Sequence, residues 1–429
     1  MSQSQLHVLY IITKLELGGA QKICLSLFNE LGNNTTTFLL TGSDGPLISH
    51  INNKNNSILI DTLTREIKIS RFFHELKNFF LIVKHIRALK KKYPALIIHT
   101  HSTKAGIIGR WAALCAGVNY RVHTIHGYGF HEHQSRSAWC SIFLLEFFTS
   151  LITTHFICVS HNDQKTGAQL FPFFKKKSSL IRAAIDPDFG GQTGTSSVGH
   201  PLMVSAQHSS LMLSLSKHAA KRRRVYRTTA GKQDECEKFI FGTIACFKPQ
   251  KNIQDLLYAF AATHQKNNNM HLEIIGDGIL RQELESLLIT LNIQHAVTLH
   301  GWKNSVYEIM RTWHAFVLTS LWEGLPCAVV EARAMKIPVI SYDTGGINEL
   351  IKNGVNGFLY QQKDWQALSQ GMLTLSRDIK LYNSLCNYDD QLHEFRISTM
   401  IERHKRLYMQ LSQNSLHPST PLRMSKKLS

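Results

Sequence analysis

The chain has 429 residues, enough for two or three domains with buried cores, and 43% of them are hydrophobic, which excludes wholesale disorder. Eight scattered cysteines with no C-x-x-C pair exclude a disulfide framework and a zinc ribbon, and read as thiols of a reducing compartment. A formal charge of +18 calls for an anionic partner; no nucleic-acid recognition module is visible, so a membrane surface is the better fit.

From the N-terminus, strand and helix alternate. Residues 8–12 form a buried strand, with neither the basic lead nor the cleavage site of a signal peptide. A helix over 20–31 and a strand over 36–40 follow. Residues 71–92 then make a basic amphipathic helix, whose Phe and Leu positions are expected to pack on the sheet while its lysines face anionic lipid. Residues 171–177 (Phe-Pro-Phe-Phe-Lys-Lys-Lys) add aromatics beside charge. A strand at 96–99, a helix at 106–116 and a strand at 121–125 continue the series. The apolar run 138–160 is broken by Glu146, Thr153, Thr154 and His155, and so divides into a helix (139–152) and a strand (156–160), not a membrane span. Residues 178–185 close this first series. A second begins at Phe239 and runs to about residue 375. Alternation at this spacing dictates parallel strands joined by right-handed crossovers, hence two doubly wound α/β sheets.

Residues 188–238 do not fit. They are rich in Gly, Ser, Thr and His, contain Lys221-Arg222-Arg223-Arg224, and echo Leu202-Met203-Val204-Ser205 in Leu211-Met212-Leu213-Ser214. They read as a disordered insertion with a solvated basic tract. Residues 396–412 read as a helix and 414–429 as a tail.

The most informative stretch is residues 320–331, Ser-Leu-Trp-Glu-Gly-Leu-Pro-Cys-Ala-Val-Val-Glu. A buried strand (315–319) runs into a turn freed by Gly324. Pro326 then suits the first turn of a helix, and the amides of Leu325, Cys327 and Ala328 can hold an anion. Glu323 precedes that helix. Glu331 lies inside it and leans back towards its N-terminus. Residues 336–346 repeat the arrangement: a second strand ends in Gly345-Gly346, and a helix is expected from Asn348. Amides for a diphosphate beside acids for hydroxyls suit a nucleotide-sugar, bound where α/β sheets bind ligands.

The run from Leu318 to Tyr360, with Glu323-x7-Glu331, Asp343-Thr344-Gly345-Gly346 and Asn353-Gly354-x-Asn356-Gly357-Phe358, closely resembles the retaining glycosyltransferases of family 4. Leu17-Gly18-Gly19-Ala20-Gln21, His99-Thr100-His101-Ser102-Thr103-Lys104 and His123-Thr124-Ile125-His126-Gly127 agree in order and spacing. The resemblance covers residues 6–410 apart from the insertion. It implies the GT-B fold, two Rossmann-like doubly wound domains facing a central cleft. The expected divisions are residues 1–187 on the acceptor side, the inserted 188–238, 239–385 binding the donor, 386–412 crossing back, and the tail 413–429.

The resemblance also implies the roles. His126 lies beside the donor sugar. Lys251 matches the family lysine, while Cys246 stands where an arginine is usual, leaving Lys248 to supply the missing charge. The remaining catalytic assignment is Glu323, on the sugar hydroxyls. Glu331 takes the ribose, and Gly18, Gly19, Gly276, Trp302, Gly324, Leu325 and Cys327 complete the donor side. Trp302 is equally readable as a core residue. His101 and Lys104 fall to the acceptor side. No dedicated protein base, no metal and no other cofactor is expected. Asp186-Pro187-Asp188 spells a metal-binding D-x-D but sits at a domain end, where turn chemistry explains it. The leading reading is transfer of a hexose from a nucleotide diphosphate, with UDP favoured, to a lipid-linked or cell-surface glycan at the cytoplasmic membrane face. Two alternatives stand beside it: a GT-B enzyme with a soluble acceptor, and an inactive relative retained for binding.

Overall fold

The computed structural model describes residues 5–32, 35–64, 72–185, 238–303 and 305–413. Residues 188–237 of the expected 188–238 insertion, the D-x-D segment and the tail beyond 413 lie outside the described residues. Two compact units emerge: residues 1–184 with 397–429, and residues 185–396. Of the segment expected to cross back, only the part from Ile397 belongs to the first unit; residues 386–396 stay with the second.

Unit 1 opens with β1 (Leu6–Ile11), α1 (Gly19–Glu30) and β2 (Thr35–Thr41). A short β3 (Ser57–Leu59), α2 (Phe72–Lys92), β4 (Ile97–His101) and α3 (Thr103–Cys115) follow. The unit continues through β5 (Tyr120–Ile125), α4 (Arg136–Ile152), β6 (His155–Cys158), α5 (His161–Leu170) and β7 (Ser178–Leu180). All pairings are parallel, in the order β3-β2-β1-β4-β5-β6-β7. Because β1 and β4 are covered on both faces, nearly every residue of each is buried, so the apolar stretches 8–11 and 97–98 show no alternation and the polar His99, Thr100 and His101 are buried with them.

Unit 2 begins with β8 (Phe239–Ile244), α6 (Ile253–Lys266), β9 (Met270–Ile275) and α7 (Arg281–Thr290). Next come β10 (Val297–Gly301), α8 (Tyr307–Met310), β11 (Ala315–Leu318), α9 (Cys327–Ala334) and β12 (Val339–Tyr342). It ends with β13 (Gly357–Tyr360), α10 (Trp365–Arg377) and α11 (Ile379–Asn387). Its parallel sheet runs β10-β9-β8-β11-β12-β13. The described residues return to unit 1 as α12 (Ile397–Gln413), packed on α1 and β1. Tyr408 of α12 sits behind the sheet, its hydroxyl 3.3 Å from that of Tyr10 and 2.6 Å from Nδ1 of His99.

Three expectations need correction. The helix expected from Asn348 is a single 3-10 turn, Ile347–Glu349. Asn356 explains the arrest: its Oδ1 accepts from the Lys352 amide at 2.8 Å and its Nδ2 donates to the Leu350 carbonyl at 2.9 Å, capturing backbone groups that a continuing helix would use. Pro326 stands just outside α9 as its cap residue, at φ −75 and ψ 101, instead of in the first turn. On α2, Ile82, Val83 and Ile86 do pack on the sheet, but Phe73 and Phe80 point away from it, 81% and 61% exposed. Seven residues apart, those two share a face roughly opposite Ile82 and Ile86.

Candidate active site

In unit 2 three loops meet at the carboxyl ends of β8, β11 and β12, where open α/β sheets bind ligands. The loop after β11 is tied to the loop after β8 by four hydrogen bonds. The Leu321 amide donates to the Gln250 carbonyl at 2.8 Å, and Gln250 Nε2 donates to the Trp322 carbonyl at 2.8 Å. Thr319 Oγ1 donates to the carbonyls of Lys251 and Asn252 at 3.1 and 2.9 Å. On the other side the Gly346 amide donates to the Gly324 carbonyl at 2.9 Å, and Thr344 Oγ1 to the Leu321 carbonyl at 3.0 Å. Gly345 is obligatory: its φ is +56, and a Cβ there would lie 1.9 Å from the Glu323 carbonyl oxygen.

This framework brings Lys251 and Glu323 into an ion pair, with the Glu323 side chain 9% exposed. The carboxylate expected on the sugar hydroxyls is therefore already engaged by the lysine that matches the family's, and each positions the other. Lys248 sits three residues earlier, half-buried, as the cap of a 3-10 turn (Pro249–Lys251), with no ion pair among the described residues. Gly324 and Leu325 are buried at the turn. Cys327 opens α9, whose first turn carries no acid and whose cap offers no side-chain hydrogen bond, so its amides and dipole favour an anion. Glu331 is 7% exposed, four residues into α9, and accepts from the Tyr307 hydroxyl at 3.5 Å. Sequence reasoning missed Tyr307 and Gln250; Tyr307 lies 24 residues from Glu331, beyond any local spacing signal.

Gly276, at φ +132, donates its amide to the Gly301 carbonyl at 2.9 Å, and a Cβ on it would lie 1.9 Å from the Ala245 carbonyl oxygen. It is where the ends of β8, β9 and β10 close together. Trp302 follows Gly301 and is 46% exposed, so it is not a core tryptophan; Trp313, fully buried, is.

Unit 1 holds the other assigned residues. Gly18 caps α1 in extended conformation without a side-chain bond, and Gly19 is its first residue. A Cβ on Gly18 would meet Gln21 Oε1 at 2.5 Å. The loop after β1 touches the loop after β4 through Thr13 and Ser102 hydroxyls 3.4 Å apart. Ser102 holds φ +65, a strained value for a side-chain-bearing residue, between His101 and Lys104. Lys104, in the first turn of α3, is 7% exposed and bonds Glu75 of α2 at 2.6 Å. Glu75 carried no signal in the sequence.

His101 and His126 are joined: His101 Nδ1 lies 3.0 Å from His126 Nε2. His101 Nε2 is buried without a hydrogen-bond partner. A stranded lone pair costs less than a stranded N–H, so His101 carries its proton on Nδ1 and donates it to His126. His126 then keeps its own proton on Nδ1. Burial, and next the nearby His404, hold His126 down to about 3. Burial and then His99 likewise hold His101 well below the usual histidine range. Both are neutral at physiological pH, so His126 acts as a hydrogen-bonding group and not as a cation. Among the described residues no cluster of three or more His, Cys, Asp or Glu side chains is placed to hold a metal.

Comparison with known proteins decides the family. The model for Glycosyltransferase Family 4 matches residues 17–189, and that for Glycosyl transferases group 1 matches residues 229–391. The chain belongs to glycosyltransferase family 4. This glycosyltransferase is 27% identical over 421 residues to the UDP-Gal:alpha-D-GlcNAc-diphosphoundecaprenol alpha-1,3-galactosyltransferase of Escherichia coli, covering 96% of this chain and 99% of that one. It is 32% identical to the lipopolysaccharide 1,6-galactosyltransferase of E. coli K12 over 140 residues, 32% of this chain and 38% of that one. Among solved structures, Anabaena Alr3699/HepE in complex with UDP and glucose superposes with a TM-score of 0.71 at 17% identity, covering 94% and 99% of the two chains. Its two parallel-sheet units are thus those of the GT-B fold.

Proposed function

We propose that this glycosyltransferase moves a hexose from a UDP-sugar to a lipid-linked saccharide in the assembly of a surface polysaccharide or lipopolysaccharide. Transfer proceeds with retention, needs no metal, and takes place at the inner face of the cell membrane. The observation that carries the reading is the end-to-end similarity to the E. coli enzyme whose name specifies UDP-galactose as donor and a GlcNAc-diphosphoundecaprenol as acceptor.

The chemistry fits the residues. Breaking a glycosyl–phosphate bond puts charge on the departing diphosphate, and preorganised donors are the main means of stabilising it. The α9 amides, Lys251 and Lys248 supply them. Glu323 fixes the orientation of Lys251 and offers its remaining acceptor capacity to the sugar. Glu331, held by Tyr307, takes the ribose. His126 donates Nδ1–H to the sugar, oriented by His101. The acceptor hydroxyl passes its proton to the donor phosphate, so the chain provides no base.

The test is to incubate the full chain with a panel of UDP-hexoses and polyprenyl-diphosphate-linked GlcNAc, with and without EDTA. The expected product is an α-linked disaccharide lipid, formed equally in both. An inverted product, or turnover abolished by EDTA, overturns the mechanism. Transfer to free sugar phosphates but not to the lipid-linked sugar overturns the acceptor.

A further inference from the structure

α2, α3 and α4 pack side by side in unit 1, and their outer faces are not those of a solvated domain. α4 is the extreme case. Its charged residues are Arg136, at the first position, and Glu146, which is turned inward to bond Arg110 at 2.8 Å. Around the helix from Glu146 stand Leu144, Leu145, Phe148 and Leu151, each 50–55% exposed. Leu144, Phe148 and Leu151 follow the i, i+4, i+7 spacing of one helical face. On α3, Trp111 and Leu114 are 36% and 38% exposed. Trp111 Nε1 donates to Thr149 Oγ1 of α4 at 3.0 Å, joining the two apolar surfaces.

Positive charge borders this face. Between residues 72 and 185 there are fifteen Lys and Arg against four Asp and Glu. Glu75 is bonded to Lys104, Glu146 to Arg110, and Asp163 is buried, so of the four acids only Glu132 stands fully in solvent. On α2, exposed Lys77, Lys84 and Arg87 interleave with Phe73 and Phe80. At the other side, Lys177 donates to the carbonyls of Ser150 and Thr153 at 2.5 and 3.0 Å, fastening its turn to the end of α4. That turn exposes Lys175 and Lys176, next to Phe173 at 69% exposure.

We propose that this layer docks the enzyme on an anionic lipid bilayer, with the outer face of α4 in the headgroup–acyl boundary and the flanking lysines on the headgroups. Apolar side chains rimmed mainly by cations are what such a surface selects. A second copy of the chain would meet the same face with like charge against like. The inference rests on the lipid-linked acceptor proposed above and locates the apolar anchor on α4, with the basic helix α2 as its electrostatic partner.

The full-length protein is sedimented with phosphatidylcholine vesicles and with vesicles that also contain phosphatidylglycerol, across a salt series. Leu144→Ser/Phe148→Ser is compared with the natural chain, its fold checked by thermal unfolding. The natural chain should bind the anionic vesicles, less as salt rises. The double variant should lose about tenfold or more in partitioning, with transfer to a short-chain, water-soluble acceptor unchanged. If both chains bind the anionic vesicles equally, the α4 face is wrong while the lipid-linked acceptor stands. If the natural chain binds neither vesicle yet still glycosylates the lipid-linked sugar in detergent, docking is overturned and the function kept. Self-association in analytical ultracentrifugation that the double variant abolishes assigns the face to a second copy and overturns the proposal.

Discussion

Acidification should unfold unit 1 ahead of unit 2. Six of its histidines, five buried and His126 half-buried, have depressed pKa values. Burial holds His99, His101 and His123 well below the usual range, His126 at about 3, and His155 and His404 at about 4. Each is neutral in the fold yet titrates near 6.5 when unfolded. The sign follows. Above 6.5 neither state takes a proton and the fold loses nothing. Below 6.5 the unfolded chain gains protons that the folded one refuses, and stability falls until the folded values are reached. Between pH 7.5 and 5.5 one such histidine costs about 1.4 kcal/mol, and six acting independently cost about 8 kcal/mol. That rivals the whole stability of an ordinary domain, about 5–15 kcal/mol. Hydrogen exchange, corrected for intrinsic rates, should show protection of β4 and β5 collapsing over this range, while β11 and β12 change less. A loss in β4 and β5 below about 1.4 kcal/mol, the share of a single proton, would refute the reasoning.

Glu331→Ala should weaken UDP-sugar binding about tenfold or more by deleting a buried acceptor; an unaltered affinity in titration calorimetry removes its ribose role. Lys248→Ala should lower kcat more than it raises KM, because a charge aimed at the leaving diphosphate matters most in the transition state. Unchanged kcat would discard it. Gly345→Ala should destabilise unit 2 by about 2 kcal/mol or more, combining a left-handed φ with a backbone clash at Glu323; an unchanged thermal midpoint contradicts that.

The strands were legible because burial on both faces forces continuous apolar runs, as in Phe316-Val317-Leu318 and Ile97-Ile98. β3 was not: three residues, none of them buried, carry no such run. The loop with Glu323, Gly324 and Glu331 could be read because glycine, proline and acid spacing encode a turn and a helix start locally. What that loop rests on could not. Gln250, Thr319 and Thr344 act through hydrogen bonds to backbone carbonyls across 68–72 residues or 23 residues of chain, and ordinary polar side chains announce no such partner. The outward turn of Phe73 and Phe80 was obscured because α2 has apolar residues on two faces, and hydropathy alone does not say which face the sheet takes.

Tyr408 closes over Tyr10 and His99 from the last described helix, after all of unit 2 has been threaded. During synthesis, then, the ribosome delivers a first lobe whose interior is unfinished and waits on the order of 10–45 s before supplying the missing piece. Throughout that interval Tyr10 and His99 lack their Tyr408 partner. Any nascent chain halted before α12 emerges with unit 2 complete and unit 1 lacking its closing helix, a species fit for a chaperone or a protease and not for catalysis.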